Sequence, residues 1–328
     1  MKNKRLVRFS GLILLSAFIL TTFMFTTADS QSKSDGKIAF IRNDDVWLMN
    51  ADGTGQRPWV AGIANAKGRL TWSPDGKKLA FARQGKVDIK YPGGGGGYHY
   101  LYDLFYAYTD SIGSSDNFYM GFTNNLGSQS PDWSANGDLI CFIFDYMANN
   151  VDATMMDYAV GLYNTSTQES HYLELPEDTL DFMPLMPCIS PDGGEVCFVL
   201  AVLDNMQLKK KGLVITPSDE IAMTSGELLE MAQKTGDASS PAWSPDGKKI
   251  AFLKTDGVYV CDNKLENTRL VTKPEEGLWL TGNPTWSPDS KKLAFSTSNG
   301  SIYTVDLDGS GMKRISGPGS DINPAWSH

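Results

Sequence analysis

The stretch Pro241–Phe252, PAWSPDGKKIAF, decides the fold. Pro241–Ser244 reads as a short strand, and Pro245-Asp246-Gly247-Lys248 as a tight turn. Proline presets φ at the first turn position, aspartate hydrogen-bonds its own backbone, and glycine accepts a positive φ. Ile250-Ala251-Phe252 then opens the return strand, where β-branched and aromatic residues suit a pleated surface. The unit is a β-hairpin, and it recurs.

Trp72-Ser73 leads to Phe81 through PDGKKLA, Trp133-Ser134 to Phe142 through ANGDLIC, and Ile189-Ser190 to Phe198 through PDGGEVC. Trp243 leads to Phe252, and Trp286 to Phe295 through PDSKKLA. The offset is nine residues each time, inside a period of roughly 40–60 residues, the mark of stacked equal units. The two ends are complementary halves of a sixth unit. Lys37-Ile38-Ala39-Phe40 is a return strand lacking its first strand, and Asn323-Pro324-Ala325-Trp326-Ser327 is a first strand lacking its return. Joining them closes a ring and removes exposed sheet edges. The chain is therefore expected to be all-β, a six-bladed β-propeller closed between its N- and C-terminal strands. On this reading Trp72, Trp133, Trp243, Trp286 and Trp326 are structural, as are the turn aspartates Asp75, Asp192, Asp246 and Asp289.

The motif resembles the WD40-like PD40 repeat of TolB-type propellers. The resemblance is carried by PAWSPDGKKIAF followed by DVWLMNADGTGQ (Asp45–Gln56) or SIYTVDLDGSGMKRIS (Ser301–Ser316), and covers residues 37–328. It implies a cell-envelope scaffold that contacts other envelope proteins, although such a repeat specifies fold better than function. TolB-type proteins carry an α/β domain before the propeller. Here the first repeat strand begins at Lys37, and no such domain is expected.

Lys2, Lys4, Arg5 and Arg8 precede an apolar run from Gly11 to Phe25 and the small residues Thr26-Thr27-Ala28. That reads as a secretory signal peptide over 1–28, with a short linker over 29–36 and no membrane span after cleavage. The run is near spanning length, so a retained anchor is the competing reading. The expected location is periplasmic or extracellular. Cleavage removes four basic residues and no acids, taking the net charge from −9 to −13. An acidic exported protein is a poor general binder of nucleic acid or anionic lipid. A monomer is expected.

Cys188 and Cys197 occupy facing positions of one hairpin. They form either a cross-strand disulfide in an oxidising compartment or two small residues filling a slot between blades. Cys141 and Cys261 read as buried strand residues, and no zinc spacing is present. There is no GxSxG, HExxH or SxxK arrangement. A three-histidine metal site would require His99, His171 and His328 to converge. Asp306-Leu307-Asp308-Gly309-Ser310 lacks the later glutamate of a calcium loop and reads as a hairpin turn. No enzyme activity, metal or cofactor is expected.

The A–B turns are uniform, whereas extra length falls elsewhere. Blade two carries Gln84–Tyr100 as a B–C insertion containing Gly93–Gly97, before strand C at Asp103–Tyr108 and strand D at Asn117–Phe122. Blade three has an insertion around Met147–Met156. Blade four has Glu220–Lys234, whose Leu228, Leu229 and Met231 suggest a short helix. B–C and D–A connections emerge on one face, so that face is the expected binding face. Tyr98, His99, Tyr100 and Tyr102 are the candidate partner-binding residues, since tyrosines anchor both protein partners and sugars. The function read from the sequence is an exported, non-enzymatic propeller that binds an envelope protein or peptide. The alternative is a carbohydrate-binding or oligosaccharide-degrading propeller.

Overall fold

The computed structural model describes residues 36–327, apart from 61–64, 91–95, 109–128, 146–157, 177–181 and 205–206. At Val60, 86–90, 96–101 and Lys210 it describes the backbone only. Each repeat hairpin supplies the two inner strands of one antiparallel sheet. Blade one holds β1 (Lys37–Arg42), β2 (Asp45–Asn50) and β3 (Arg57–Val60), and blade two holds β4 (Ala66–Trp72), β5 (Lys78–Lys90) and β6 (Gly96–Tyr108). Blade three is β7 (Gln129–Trp133), β8 (Leu139–Asp145), β9 (Tyr158–Asn164) and β10 (Ser170–Leu173). Blade four is β11 (Phe182–Ile189), β12 (Glu195–Asp204) and β13 (Gln207–Pro217), followed by α1 (Ser225–Thr235). Blade five is β14 (Ser239–Trp243), β15 (Lys249–Lys254), β16 (Gly257–Asp262) and β17 (Arg269–Thr272). Blade six is β18 (Leu280–Trp286), β19 (Lys292–Thr297), β20 (Ser301–Asp306) and β21 (Lys313–Arg314).

The last strand, β22 (Ile322–Trp326), pairs with β1 and completes blade one, as the split sixth repeat requires. The bonds at this seam copy those inside every other hairpin. In blade two Ser73 N donates to Lys78 O at 2.9 Å, and Lys78 N donates to Ser73 Oγ at 2.9 Å. At the seam Ser327 N donates to Lys37 O, and Lys37 N donates to Ser327 Oγ, both at 2.8 Å. Arg42 adds a bidentate pair with Asp321, at 2.6 and 2.7 Å, which buries the carboxylate almost completely.

The repeated turn is fixed by one hydroxyl. Ser73, Ser190, Ser244 and Ser287 each donate to the turn aspartate at 2.6–2.7 Å, and Ser134 does the same to Asn136. The aspartate also accepts a backbone N–H two residues on, the Asx turn that PDG predicts. Behind the turn, the repeated Phe of the second strand faces an aromatic residue of the third in blades one, two, five and six. Phe40 pairs with Trp47, Phe81 with Phe105, Phe252 with Tyr259 and Phe295 with Tyr303, with centroids 5.7–6.5 Å apart. Such cross-strand pairs add stabilisation beyond buried area. In blade three the third strand offers Gly161, and Phe142 closes over the space.

The structure alters one expectation and decides others. The Gln84–Tyr100 insertion is largely a β-ribbon, because β5 and β6 stay paired from Lys78↔Tyr108 out to Lys90↔Gly96. Strand C of blade two therefore starts at Gly96, and alternating Val, Ile and Tyr residues continue the pleat beyond the blade. Within DLFYAY both faces are core: Leu104 packs toward blade three and Ala107 toward blade one. In blade four the helix takes the place of a fourth strand. It starts with a Thr224–Glu227 capping box and buries Leu228 and Ala232 on β12 and β13. Gly212 on β13 permits this, since a Cβ there would collide with the Ala232 carbonyl. Cys188 and Cys197 face each other in register as free, fully buried thiols rather than as a disulfide. The expected strand at Asn117–Phe122 and the Met147–Met156 insertion lie outside the described residues.

Candidate functional site

The six inner strands contact one another in the order β22, β4, β7, β11, β14, β18 and back to β22, enclosing a central channel. Blades are tied at this level by side chains one residue before the repeat Trp. Thr71 accepts from Trp133 N, Thr285 from Trp326 N and Asp132 from Ile189 N, each at 3.0 Å. Trp72 and Trp286 donate their indole N–H to the preceding blade, at Ala325 O and Ala242 O. The repeat tryptophans Trp72, Trp133, Trp243, Trp286 and Trp326 line a small cavity of about 80 Å³ at the A–B turn end.

One residue blocks the channel. Arg69 projects from β4, three positions before Trp72, and its NH2 donates to Pro241 O on β14 of blade five, the blade opposite its own. NH1 lies 3.3 Å from Asp132 Oδ1 of blade three, and NH2 lies 3.5 Å from Asn283 Oδ1 of blade six. Burial is the largest single influence and opposes the guanidinium charge, but the attractions of Asp132, Cys188 and Cys141 together outweigh it, so the Arg69 pKa is raised. The side chain is 6% exposed and forms a septum across the bore.

Beyond the septum, toward the B–C and D–A connections, lies a cavity of about 670 Å³, within the size range of ligand pockets. Its floor is a ring of six bulges, one on each inner strand: Gly68, Ser130, Met186, Ser240, Gly282 and Asn323, with φ between 50° and 68°. Four of these are not glycine, and left-handed backbone at such residues is strain of the kind that collects at ligand sites. The walls carry Lys67, Lys211, Lys254, Tyr102 and Trp279. Trp279 is 64% exposed, while its backbone is pinned to Ser298 by two hydrogen bonds of 2.9 and 3.3 Å. A large, exposed aromatic ring on a fixed backbone is not a core element and is available for contact.

The expected binding face is therefore the one that holds the larger cavity. Of the four candidate residues, Tyr102 lines it, at the base of the β5–β6 ribbon. Tyr98, His99 and Tyr100 lie further along that ribbon, opposite Asp88, Val87 and Lys86, and their side chains lie outside the described residues. His171 is on the outer strand β10, with Nε2 2.8 Å from Ser218 O. Among the described residues no group of His, Cys, Asp or Glu is arranged to hold a metal. The sequence reading missed Arg69, Lys67, Lys211, Lys254 and Trp279. A repeat alignment extended three residues upstream of each Trp would have set Arg69 beside Ser130, Met186, Ser240, Asn283 and Asn323, as the one charged residue in a channel-facing slot.

The fold has solved counterparts. The structure of TolB from Acinetobacter baumannii superposes with a TM-score of 0.55 at 16% identity, over 89% of this chain and 66% of that one. The structure of a putative TolB from Agrobacterium tumefaciens gives 0.51 at 16% identity, over 89% and 91%. This chain spans just under two thirds of the first protein's length. At this identity the likeness establishes the propeller fold. No family model and no curated protein matches the sequence.

Proposed function

We propose that this protein is a non-catalytic binding propeller of the cell envelope that takes a segment of a partner protein into the cavity on its B–C and D–A face. The observation that carries this reading is the cavity of about 670 Å³, which has the exposed Trp279 in its wall and lies on one side of the level at which Arg69 crosses the bore. A crossed bore suits a docked segment rather than a threaded one. The signal-like segment over 1–28 and the TolB-type repeat support an envelope location, and the propeller fold shared with TolB structures is consistent with it. Tyr98, His99 and Tyr100 on the ribbon extend the contact surface in this reading. Met186, Leu253 and Leu280 in the lining favour a peptide over an oligosaccharide, because methionine and leucine adapt to apolar side chains.

The test compares wild type, Trp279→Ala at this mouth and Lys248→Ala at the opposite, A–B turn end. Proteins retained from envelope extract are compared by quantitative mass spectrometry. A partner lost only with Trp279→Ala is the expected result. A partner indifferent to Trp279 and lost with Lys248→Ala would place binding on the other face and overturn the reading.

A further inference from the structure

The chain carries a net charge of −9, yet no acidic side chain lines the larger cavity among the described residues, and three lysines do. They arrive from three blades: Lys67 on β4, Lys211 on β13 and Lys254 on β15. Lys67 is held by Asp44 at 2.5 Å and is partly neutralised. Lys211 and Lys254 have no ion-pair partner among the described residues. Lys254 rests instead against two rings, with Nζ 5.9 Å from the Phe252 centroid and 5.1 Å from that of Tyr259. The nearest carboxylate on that turn, Asp256, accepts from Tyr259 Oη at 3.0 and 3.1 Å. The aromatic face positions the ammonium without cancelling its charge.

Uncompensated cations inside a concave wall focus a positive potential into the cavity, against the acidic background of the protein. From this we infer that the segment recognised here is acidic, with Asp or Glu carboxylates directed at Lys211 and Lys254 and an apolar or aromatic side chain against Trp279 and Met186. The inference rests on the peptide-binding reading above and adds the chemistry of the ligand. The lysine ammonium is a point charge on a flexible stem, suited to carboxylates met at variable geometry. The approach of such a segment is accelerated by opposite charge at the mouth and weakened by salt.

Isothermal titration calorimetry of the full chain distinguishes the outcomes. The probes are synthetic peptides of one length, each holding a Trp or Leu and a run of Glu, of Gln or of Lys, with free and amidated C-termini, and an oligouronate. The Glu peptide is expected to bind roughly tenfold more tightly than its Gln counterpart, whether amidated or not. Lys211→Gln/Lys254→Gln should remove most of that advantage while leaving thermal unfolding unchanged, both side chains being at the cavity surface. Gln and Glu peptides binding equally would overturn the charge inference and leave peptide binding standing. Preference only for a free C-terminus would move the recognised carboxylate to the chain end and overturn the inference as stated. Lysine-dependent binding of the oligouronate with no peptide binding would overturn the peptide reading itself.

Discussion

Replacing Arg69 with Met removes the septum while keeping an unbranched apolar stem of similar reach. The guanidinium contacts Asp132, Pro241 O and Asn283, so a single substitution releases ties between blade two and blades three, five and six. Removing one partner of a buried ion pair costs about 3–5 kcal/mol, mainly because the other charge is left unpaired. Two features lower that figure here. Asp132 keeps the Ile189 N–H at 3.0 Å and is 20% exposed, and Arg69 Nε makes no hydrogen bond to lose. A cost of about 2–4 kcal/mol follows. At about 2–4 °C per kcal/mol for a chain of this size, the midpoint falls by roughly 5–15 °C in calorimetry. Adding Asp132→Asn removes the stranded charge but keeps an acceptor for Ile189, and should restore at least half of the loss. A fall below about 2 °C, or a double variant no better than Arg69→Met, would refute the axial tie.

The seam is testable in the same way. Asp321→Ala should cost about 2–4 kcal/mol by stranding Arg42, and Asp321→Leu/Arg42→Met should cost less than Asp321→Ala in chemical denaturation. Beyond Gln84, which bonds Asn65, the β5–β6 ribbon has no strand partner but itself among the described residues, so replacing 86–100 with a short turn should shift the midpoint by less than about 3 °C. Unfolding of that variant would show the ribbon to be core. Hydrogen bonds from Ser73, Ser190 and Ser287 lower the pKa of Asp75, Asp192 and Asp289 below 3.8. A depressed folded-state pKa gives stability that is present above the unfolded value and lost as pH falls through the folded one. The melting temperature should thus drop below about pH 4. The triple Asn variant should flatten that drop, although exposure of these groups keeps the effect modest.

Much of the fold was legible because its information is local and repeated. A turn such as Ser73–Lys78 is specified by proline, aspartate, glycine and one serine hydroxyl within six residues, and the same bonds recur wherever the letters do. The split sixth repeat even announced the seam, since Asn323–Ser327 lacks its return strand. The ribbon misled because five glycines suggest a flexible loop. Ladder hydrogen bonds between flanking β-formers extend the pairing as far as Gly96 and Gly97. The tyrosine-rich stretch directed attention to the face that holds the larger cavity, where Tyr102 is part of the lining.

The sequence alone determined the blade count, the hairpin turns, the closing strand and the side of the ring with the insertions. Those features depend on contacts between near neighbours or on one pattern repeated along the chain. The tertiary structure decided the site. Lys67, Lys211 and Lys254 are separated by 43 residues or more in the chain, and each is unremarkable in its own strand. Only the closure of the ring turns their blades toward one cavity, where two of them pair with no carboxylate among the described residues. Arg69 likewise acquires its role from Pro241, 172 residues away and across the channel. A ring places one side chain per blade at each level of its bore, so the chemistry of that bore is set by residues that never meet along the sequence.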